Sequence, residues 1–431
     1  MLTMDKWQEF YNTIKADEWP DCPTESDFYN LPTDIKQECM DNFGYVPGIY
    51  SIKDQLTKNK SFCIMPFIHL YINEYNQLGP CCLGTPIKTH SQNFDFYDDK
   101  DLARIRQAMQ AGIRVKECSS CYEVEDHGAD SGRIRNTTDW AVKLKATDLN
   151  QTETRLRYYD IRNDNLCNLA CRTCHPGAST QLEKEYKELK WKVKPNSTEF
   201  KLSETIDYDT VECVYVAGGE PTLMPEFAKF LTTAIEKNRT DIALTIITNV
   251  TNVNKNILNL LSNFRNISFT LSLDGYGPVN RYIRWPSDWD TIVKNIEKLK
   301  TITDNISVNV TVSIYNITKL YELVCFLESA LPEPPTILLN QAAGAYNVPF
   351  NFPDKELAVS RLELLKNTKS YHKESFFKEK VDYFIDMTTN ALAMNNKDLA
   401  GFFQYNDALD NLRGVRLIDY IPELDACRRY L

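Results

Sequence analysis

From Leu156 to Asn340 the chain alternates between short β-prone runs and longer helix-prone runs, and that rhythm limits the folds open to it. Strand-like stretches fall at 156–162, 211–217, 242–248, 267–273, 307–314 and 336–339. Between them stand a helix-like run from Ala178 and then runs at 225–237, 255–264, 289–300 and 318–329. Strands separated by helical runs pair in parallel, because a parallel neighbour needs a crossover of about a dozen residues or more. Six such units fit a partial (β/α)6 TIM-like barrel of the α/β class better than a complete eight-fold one. Folds of this kind place chemistry at the carboxyl ends of their strands. Polar and glycine motifs gather at those ends here.

The first strand runs directly into Cys167, Cys171 and Cys174, spaced C-x3-C-x2-C on a loop. Three thiolates hold three irons of a cubane [4Fe–4S] cluster and leave the fourth open for a substrate or cofactor. The spacing alone also suits zinc or buried free thiols. The second strand ends in Gly218-Gly219-Glu220-Pro221. Glycines without Cβ let a backbone carbonyl approach closely and Glu220 offers an acceptor, both suited to a bound ammonium group. A plain turn is the competing reading, and the strand-end position argues against it.

A second cysteine set precedes the series. Cys63 leads into an alternating stretch, 67–72, then turn residues and Cys81-Cys82, which together read as a β-hairpin. A helix-like run at 101–113 follows, and then Cys118-x2-Cys121. Four of these thiols could close a tetrathiolate around an iron–sulfur cluster or around zinc, and spacing does not separate the two. Adjacent Cys81 and Cys82 do not easily serve one site together; Cys81 is the expected ligand and Cys82 its alternative. His127 reads as a surface or packing residue, and Arg133 and Arg135 as a solvated face. The boundaries expected are an N-terminal extension at 1–60, the cysteine module at 61–150, the barrel at 151–341 and a helical region at 342–431. That last region carries helices at 355–367, 374–395 and 399–413. Cys22, Cys39, Cys325, Cys427 and His372 receive no chemistry, and Cys213 reads as core.

Composition narrows the partners. Among 431 residues, 59 acidic against 49 basic give a net charge of −10, which argues against a general nucleic-acid surface. No apolar run reaches the ~18–20 residues of a membrane span. The first residues lack a basic region followed by an apolar core, so a cytoplasmic protein is expected. Thirteen cysteines in such a chain read first as metal ligands, not disulfides.

Cys167-x3-Cys171-x2-Cys174, Gly218–Pro221 and the six β/α units resemble the radical S-adenosylmethionine (SAM) superfamily. The resemblance implies a [4Fe–4S] cluster on the three cysteines, whose open iron chelates the methionine part of SAM. One electron then cleaves the sulfonium, and the resulting 5′-deoxyadenosyl radical abstracts hydrogen from substrate. It implies a SAM pocket lined by Thr248, Asn249, Ser272 and Asp274, with Arg284 reaching the cofactor carboxylate. The N-terminal set resembles the auxiliary-cluster modules called SPASM and twitch, implying a second [4Fe–4S] cluster on Cys63, Cys81 (or Cys82), Cys118 and Cys121. Such enzymes often modify ribosomally made peptides, while others dehydrogenate or transfer groups on small molecules. An electron donor such as flavodoxin or ferredoxin is implied too. The non-catalytic alternative is a zinc-ribbon binding protein. Two departures stand out: the auxiliary module precedes the barrel instead of following it, and Thr173 occupies a position that often carries a large apolar residue against adenine.

Overall fold

Alternation of apolar and polar residues decides how the strands Cys213–Val216, Ala243–Thr248 and Ile306–Val312 are buried. The computed structural model describes residues 59–89, 95–128, 130–141, 155–162, 164–194, 201–332, 335–342, 352–391 and 396–431. The isolated Cys22 and Cys39 lie outside them. The described residues fall into two compact units: one holds those up to Ile68 and from Phe96 to Arg155, the other His69–Asp95 and Leu156–Leu431.

The larger unit is an α/β fold around one open sheet of nine strands in the order β3-β2-β1-β4-β5-β6-β7-β8-β9. The strands are β1 (His69–Ile72), β2 (Gln77–Gly79), β3 (Lys88–Thr89), β4 (Tyr158–Ile161), β5 (Cys213–Val216), β6 (Ala243–Thr248), β7 (Ile267–Ser272), β8 (Ile306–Val312) and β9 (Thr336–Gln341). From β4 to β9 each strand pairs in parallel with the next, as expected of a partial barrel. The hairpin β1–β2 exists, but β1 also pairs in parallel with β4, Tyr71 opposite Asp160. The hairpin therefore extends the barrel sheet by a seventh parallel strand. Its first arm is shorter than the 67–72 stretch, because Met65–Ile68 forms a helical turn.

One face of the sheet is apolar and fully buried, carrying Val214, Leu244, Phe269, Leu271, Val308 and Val310. Each such side chain contributes about 1.5–3 kcal/mol. The other face carries Tyr215, Thr245, Ser307 and Asn309, all partly exposed. Cys213 belongs to this second face and not to the core, since it stands two residues from Tyr215 on a period-two strand. After α1 (Lys100–Gln110), α2 (Ser119–Asp126) and α3 (Gly132–Ala141) of the smaller unit, the connecting helices of this unit include α4 (Thr180–Glu188), α5 (Pro225–Glu236), α6 (Lys255–Leu261), α7 (Pro278–Ile283), α8 (Trp289–Lys300) and α9 (Leu320–Ala330). Three of these helices start at side-chain caps: Ser179 accepts from Leu182 N, Asn254 from Ile257 N and Asp288 from Thr291 N. Each cap is worth about 1 kcal/mol. The C-terminal region is helical, with α10 (Lys355–Glu363), α11 (Ser375–Asn390) and α12 (Asn396–Arg413).

The smaller unit packs α1 (Lys100–Gln110), α2 (Ser119–Asp126) and α3 (Gly132–Ala141). Leu102, Ile105 and Met109 form the buried stripe of α1. Arg133 is not on a solvated face: it is buried, donates to Phe62 O at 2.6 Å and pairs with Glu125 at 2.5 Å. Arg135 is on the surface and donates to Asp130 O. No helix among the described residues is long and apolar enough to cross a membrane.

Candidate metal centre

β4 ends at Ile161, and the loop that follows carries the cysteine triplet. Asp164 Oδ1 accepts from Leu166 N at 2.9 Å and starts the turn. Thr180 Oγ1 donates to Cys167 O at 3.0 Å, tying the loop to the first turn of α4. Cys174 N donates to Cys171 O at 3.2 Å, and the loop is laddered onto the segment after α7 by Ala170 N to Trp285 O and Arg172 N to Ile283 O. Cys167 is buried, with Cys171 and Cys174 half-buried. Burial pushes the Cys167 thiol up to about 12, and it raises Cys171 and Cys174 as well. Each of the three lies within electrostatic reach of Arg284 and of another thiol of the set. Buried thiols gathered in this way resist ionisation alone, and a bound cation reverses that cost.

The Gly218–Pro221 turn packs directly on this loop. Gly219 N donates to Asp164 O at 3.1 Å and Glu220 N to Leu166 O at 2.8 Å. Gly218 has φ +121°, and a Cβ there would stand 3.0 Å from Asp164 O. A Cβ on Gly219 would collide with the Leu166 carbonyl. The glycines therefore serve the contact between two loops. Glu220 is fully buried and its carboxylate is largely engaged by the protein. Oε1 accepts from Thr222 Oγ1 at 2.7 Å and Thr248 Oγ1 at 2.8 Å, and Oε2 from Asn249 N at 2.7 Å. Its first action is to splice the carboxyl ends of β5 and β6, with burial raising its pKa against those hydrogen bonds. Pro221 opens the short turn Pro221–Leu223 with Glu220 as its cap.

Asn249 extends this splice to the cysteines. Its Nδ2 lies 3.8 Å from Cys167 Sγ and 3.1 Å from Asn168 Oδ1, while Asn168 Nδ2 donates to Thr251 Oγ1 at 2.8 Å. At the end of β7, Ser272 is buried, and Asp274 follows with no exposure at all. Asp274 Oδ1 accepts from Thr311 N at 2.8 Å, and Oδ2 stands 2.8 Å from Arg284 Nε. That N–H is not aimed at the carboxylate, so the pair is a contact of charges. Burial would lower the Arg284 pKa; Asp274, Cys171 and Cys174 more than offset it. Arg284 thus joins Asp274 to the cysteine loop.

Sequence reasoning missed several partners. His175, directly after the triplet, meets Glu74 at 3.3 Å through Nε2 and the Tyr75 hydroxyl at 3.2 Å through Nδ1, both from the β1–β2 turn. Asn168 and Thr180 carry no motif of their own; only their position between and after the cysteines could have marked them.

The second cysteine set divides between the units. Cys63, Cys118 and Cys121 are buried in the smaller one, where Cys63 faces Cys121 and Arg133, and burial pushes its thiol up to about 11. Cys81 is buried and Cys82 exposed in the larger unit, after β2. Cys82 there lies in electrostatic reach of Asp160. Among the described residues, no three His, Cys, Asp or Glu side chains converge as ligands of a single ion would.

A cysteine loop at the first strand end of an open parallel barrel, braced by the next three strand ends, defines a candidate centre on an α/β fold of the partial-barrel class. Residues 165–322 match the family model of the Radical SAM superfamily. That family implies a [4Fe–4S] cluster and SAM. No curated protein matches the chain. Among solved structures, a histidine-tagged anSMEcpe with bound AdoMet is similar at 16% identity over 51% of this chain and 60% of that one, with TM-score 0.37. Streptococcus suis SuiB bound to S-adenosylmethionine is similar at 14% identity over 70% and 68%, TM-score 0.31. The same protein bound to precursor peptide SuiA gives 13% over 83% and 74%, TM-score 0.30. The chain thus spans 60% of the length of anSMEcpe.

Proposed function

We propose that this chain is a radical SAM enzyme that holds its cluster on Cys167, Cys171 and Cys174, cleaves SAM beside it and abstracts hydrogen from a peptide. The observation that carries this reading is the cysteine loop, faced by the Arg284 guanidinium and the Asn249 carboxamide within the residues that match the family. The donor set fits the group: three neighbouring thiols suit a cluster that keeps one iron open. When bound, the cluster supplies the electron that breaks the sulfonium bond.

The chain's own residues set the stage. The Gly218–Pro221 turn would offer backbone acceptors to the amino end of SAM, while Glu220 ties that turn to Thr248 and Asn249. Thr248, Asn249, Ser272 and Asp274 line the cofactor's side of the strand ends. Arg284 balances the negative charge of a thiolate-ligated cluster. The polar sheet face suits a substrate made of amides, since it offers Thr270 and Ser307 hydroxyls 3.0 Å apart and the Asn309–Asn340 carboxamide pair. A second cluster on Cys63, Cys81 (or Cys82), Cys118 and Cys121 belongs to this reading on cysteine spacing alone, with flavodoxin or ferredoxin as the class of electron donor.

The test is iron and sulfide content after anaerobic reconstitution, together with SAM turnover. About eight irons per chain, falling by about four in a Cys167/Cys171/Cys174→Ala variant, accord with two cubanes. SAM cleavage should disappear with the triplet. Four irons in the parent and none in the variant would remove the second cluster, and none in either would overturn the reading.

A further inference from the structure

Outside the residues that match the family, α12 grips the cysteine loop. Asn406, Asp410 and Arg413 stand four and three residues apart, so they share one face of the helix. Arg172, between Cys171 and Cys174, turns its side chain onto that face with no solvent exposure. Its Nη1 donates to Asn406 Oδ1 at 2.8 Å, its Nη2 to Asp410 Oδ1, and its Nε to Tyr282 O at 3.0 Å. The guanidinium also lies 3.7 Å above the Tyr282 ring. Asp410 takes the Tyr282 hydroxyl at 3.0 Å and Leu417 N at 2.8 Å. One turn on, Arg413 Nη2 donates to Ala170 O at 2.7 Å and to Glu185 at 2.6 Å.

These contacts have one thing in common. Residues 170–172 are laddered onto 283–285, and Asp410 holds both rails, through Arg172 on one and Tyr282 on the other. Arg284, the cation that all three thiols face, sits between the rungs. We propose that α12 is the positioning helix of the cluster site, with Asp410 as its central positioning residue. By holding Arg172 and Tyr282 together, it sets the Cys171–Cys174 turn against Arg284. Asp410 also neutralises Arg172 beside the cluster. The radical SAM domain is therefore completed by a segment that begins more than one helix after its matched residues end. This inference rests on the function proposed above.

The experiment compares the full-length parent with D410N and D410E after anaerobic reconstitution, reading iron content, midpoint potential and the low-temperature electron paramagnetic resonance (EPR) spectrum with and without SAM. D410N leaves Arg172 without its counter-charge and should shift the potential of the SAM-responsive cluster upward. Its spectral response to SAM should weaken, and D410E should restore both. A purely structural role predicts lost iron with the potential of the remaining clusters unchanged, and that result overturns the proposal, as does a D410N protein indistinguishable from the parent. Should D410N fail to fold, R413Q tests the same helix: with iron content kept, its spectral response to SAM should weaken several-fold, and a response equal to the parent's overturns the proposal. A parent without iron overturns the functional reading and this inference together, whereas a loaded parent with a silent D410N overturns the inference alone.

Discussion

The two cysteine regions share a C-x2-C pair, Cys171/Cys174 in one and Cys118/Cys121 in the other, yet their surroundings differ. Around Cys167, Cys171 and Cys174 the chain gathers a guanidinium, a carboxamide N–H and two loops joined by backbone hydrogen bonds, all at strand ends. Around Cys63, Cys118 and Cys121 the neighbours are helix-packing groups: Tyr122 donates to Ser61 O at 2.9 Å, and Arg133 is taken up by Glu125 and the Phe62 carbonyl. The first environment is arranged for charge at the sulfurs, while the second is arranged for a small core. Spacing nominates ligands; the neighbours of the sulfurs separate one kind of centre from another.

Variants can break this contrast. Replacing Cys167, Cys171 and Cys174 by Ala should abolish SAM cleavage, whereas C118S/C121S should remove iron while a residual SAM-cleavage signal survives. Equal loss of cleavage in both, measured as 5′-deoxyadenosine formed, would erase the distinction. Next in size, R284M leaves Asp274 buried without its cation and should cost about 3–5 kcal/mol in denaturant unfolding. It should also lower iron retention at the triplet. R133M removes the equivalent pair in the smaller unit; a similar stability loss with the SAM-responsive signal intact would sharpen the contrast. E220A strands the Thr222, Thr248 and Asn249 donors, at about 1–3 kcal/mol for each group left buried and unpaired. An unchanged unfolding midpoint would mean that the splice of β5 to β6 carries no weight.

A further effect concerns pH. Burial pushes the His69 pKa from 6.5 down to about 3. The folded state thus binds this proton less well than the unfolded one, so its stability contribution is full above pH 6.5 and is lost as pH falls toward 3. H69F should flatten that part of the stability profile. An acid limb of the same slope in parent and variant would exclude His69 as its source.

Much of the larger unit was legible because short β-prone runs, alternating in burial in β5, β6 and β8, are separated by longer helix-prone ones. Trp289–Lys300 was readable to its ends, since Asp288 caps it and the apolar stripe is unbroken. The start of β1 was not, because the helical turn Met65–Ile68 is wholly apolar and has no period to read. Nor does any local pattern reveal that β1 pairs with β4, nearly ninety residues on. The cysteine triplet and Gly218–Pro221 announced themselves by spacing. Arg172 and Arg133 did not, for a charged residue declares its burial only through partners distant in sequence: Asp410 lies 238 positions from Arg172.

The most direct test of the central claim is EPR of the reduced, reconstituted protein as SAM is added. The account predicts a spectrum that changes with SAM in the parent and a variant lacking Cys167, Cys171 and Cys174 whose remaining signal ignores SAM. A parent spectrum indifferent to SAM, or a SAM response that survives loss of the triplet, would contradict it.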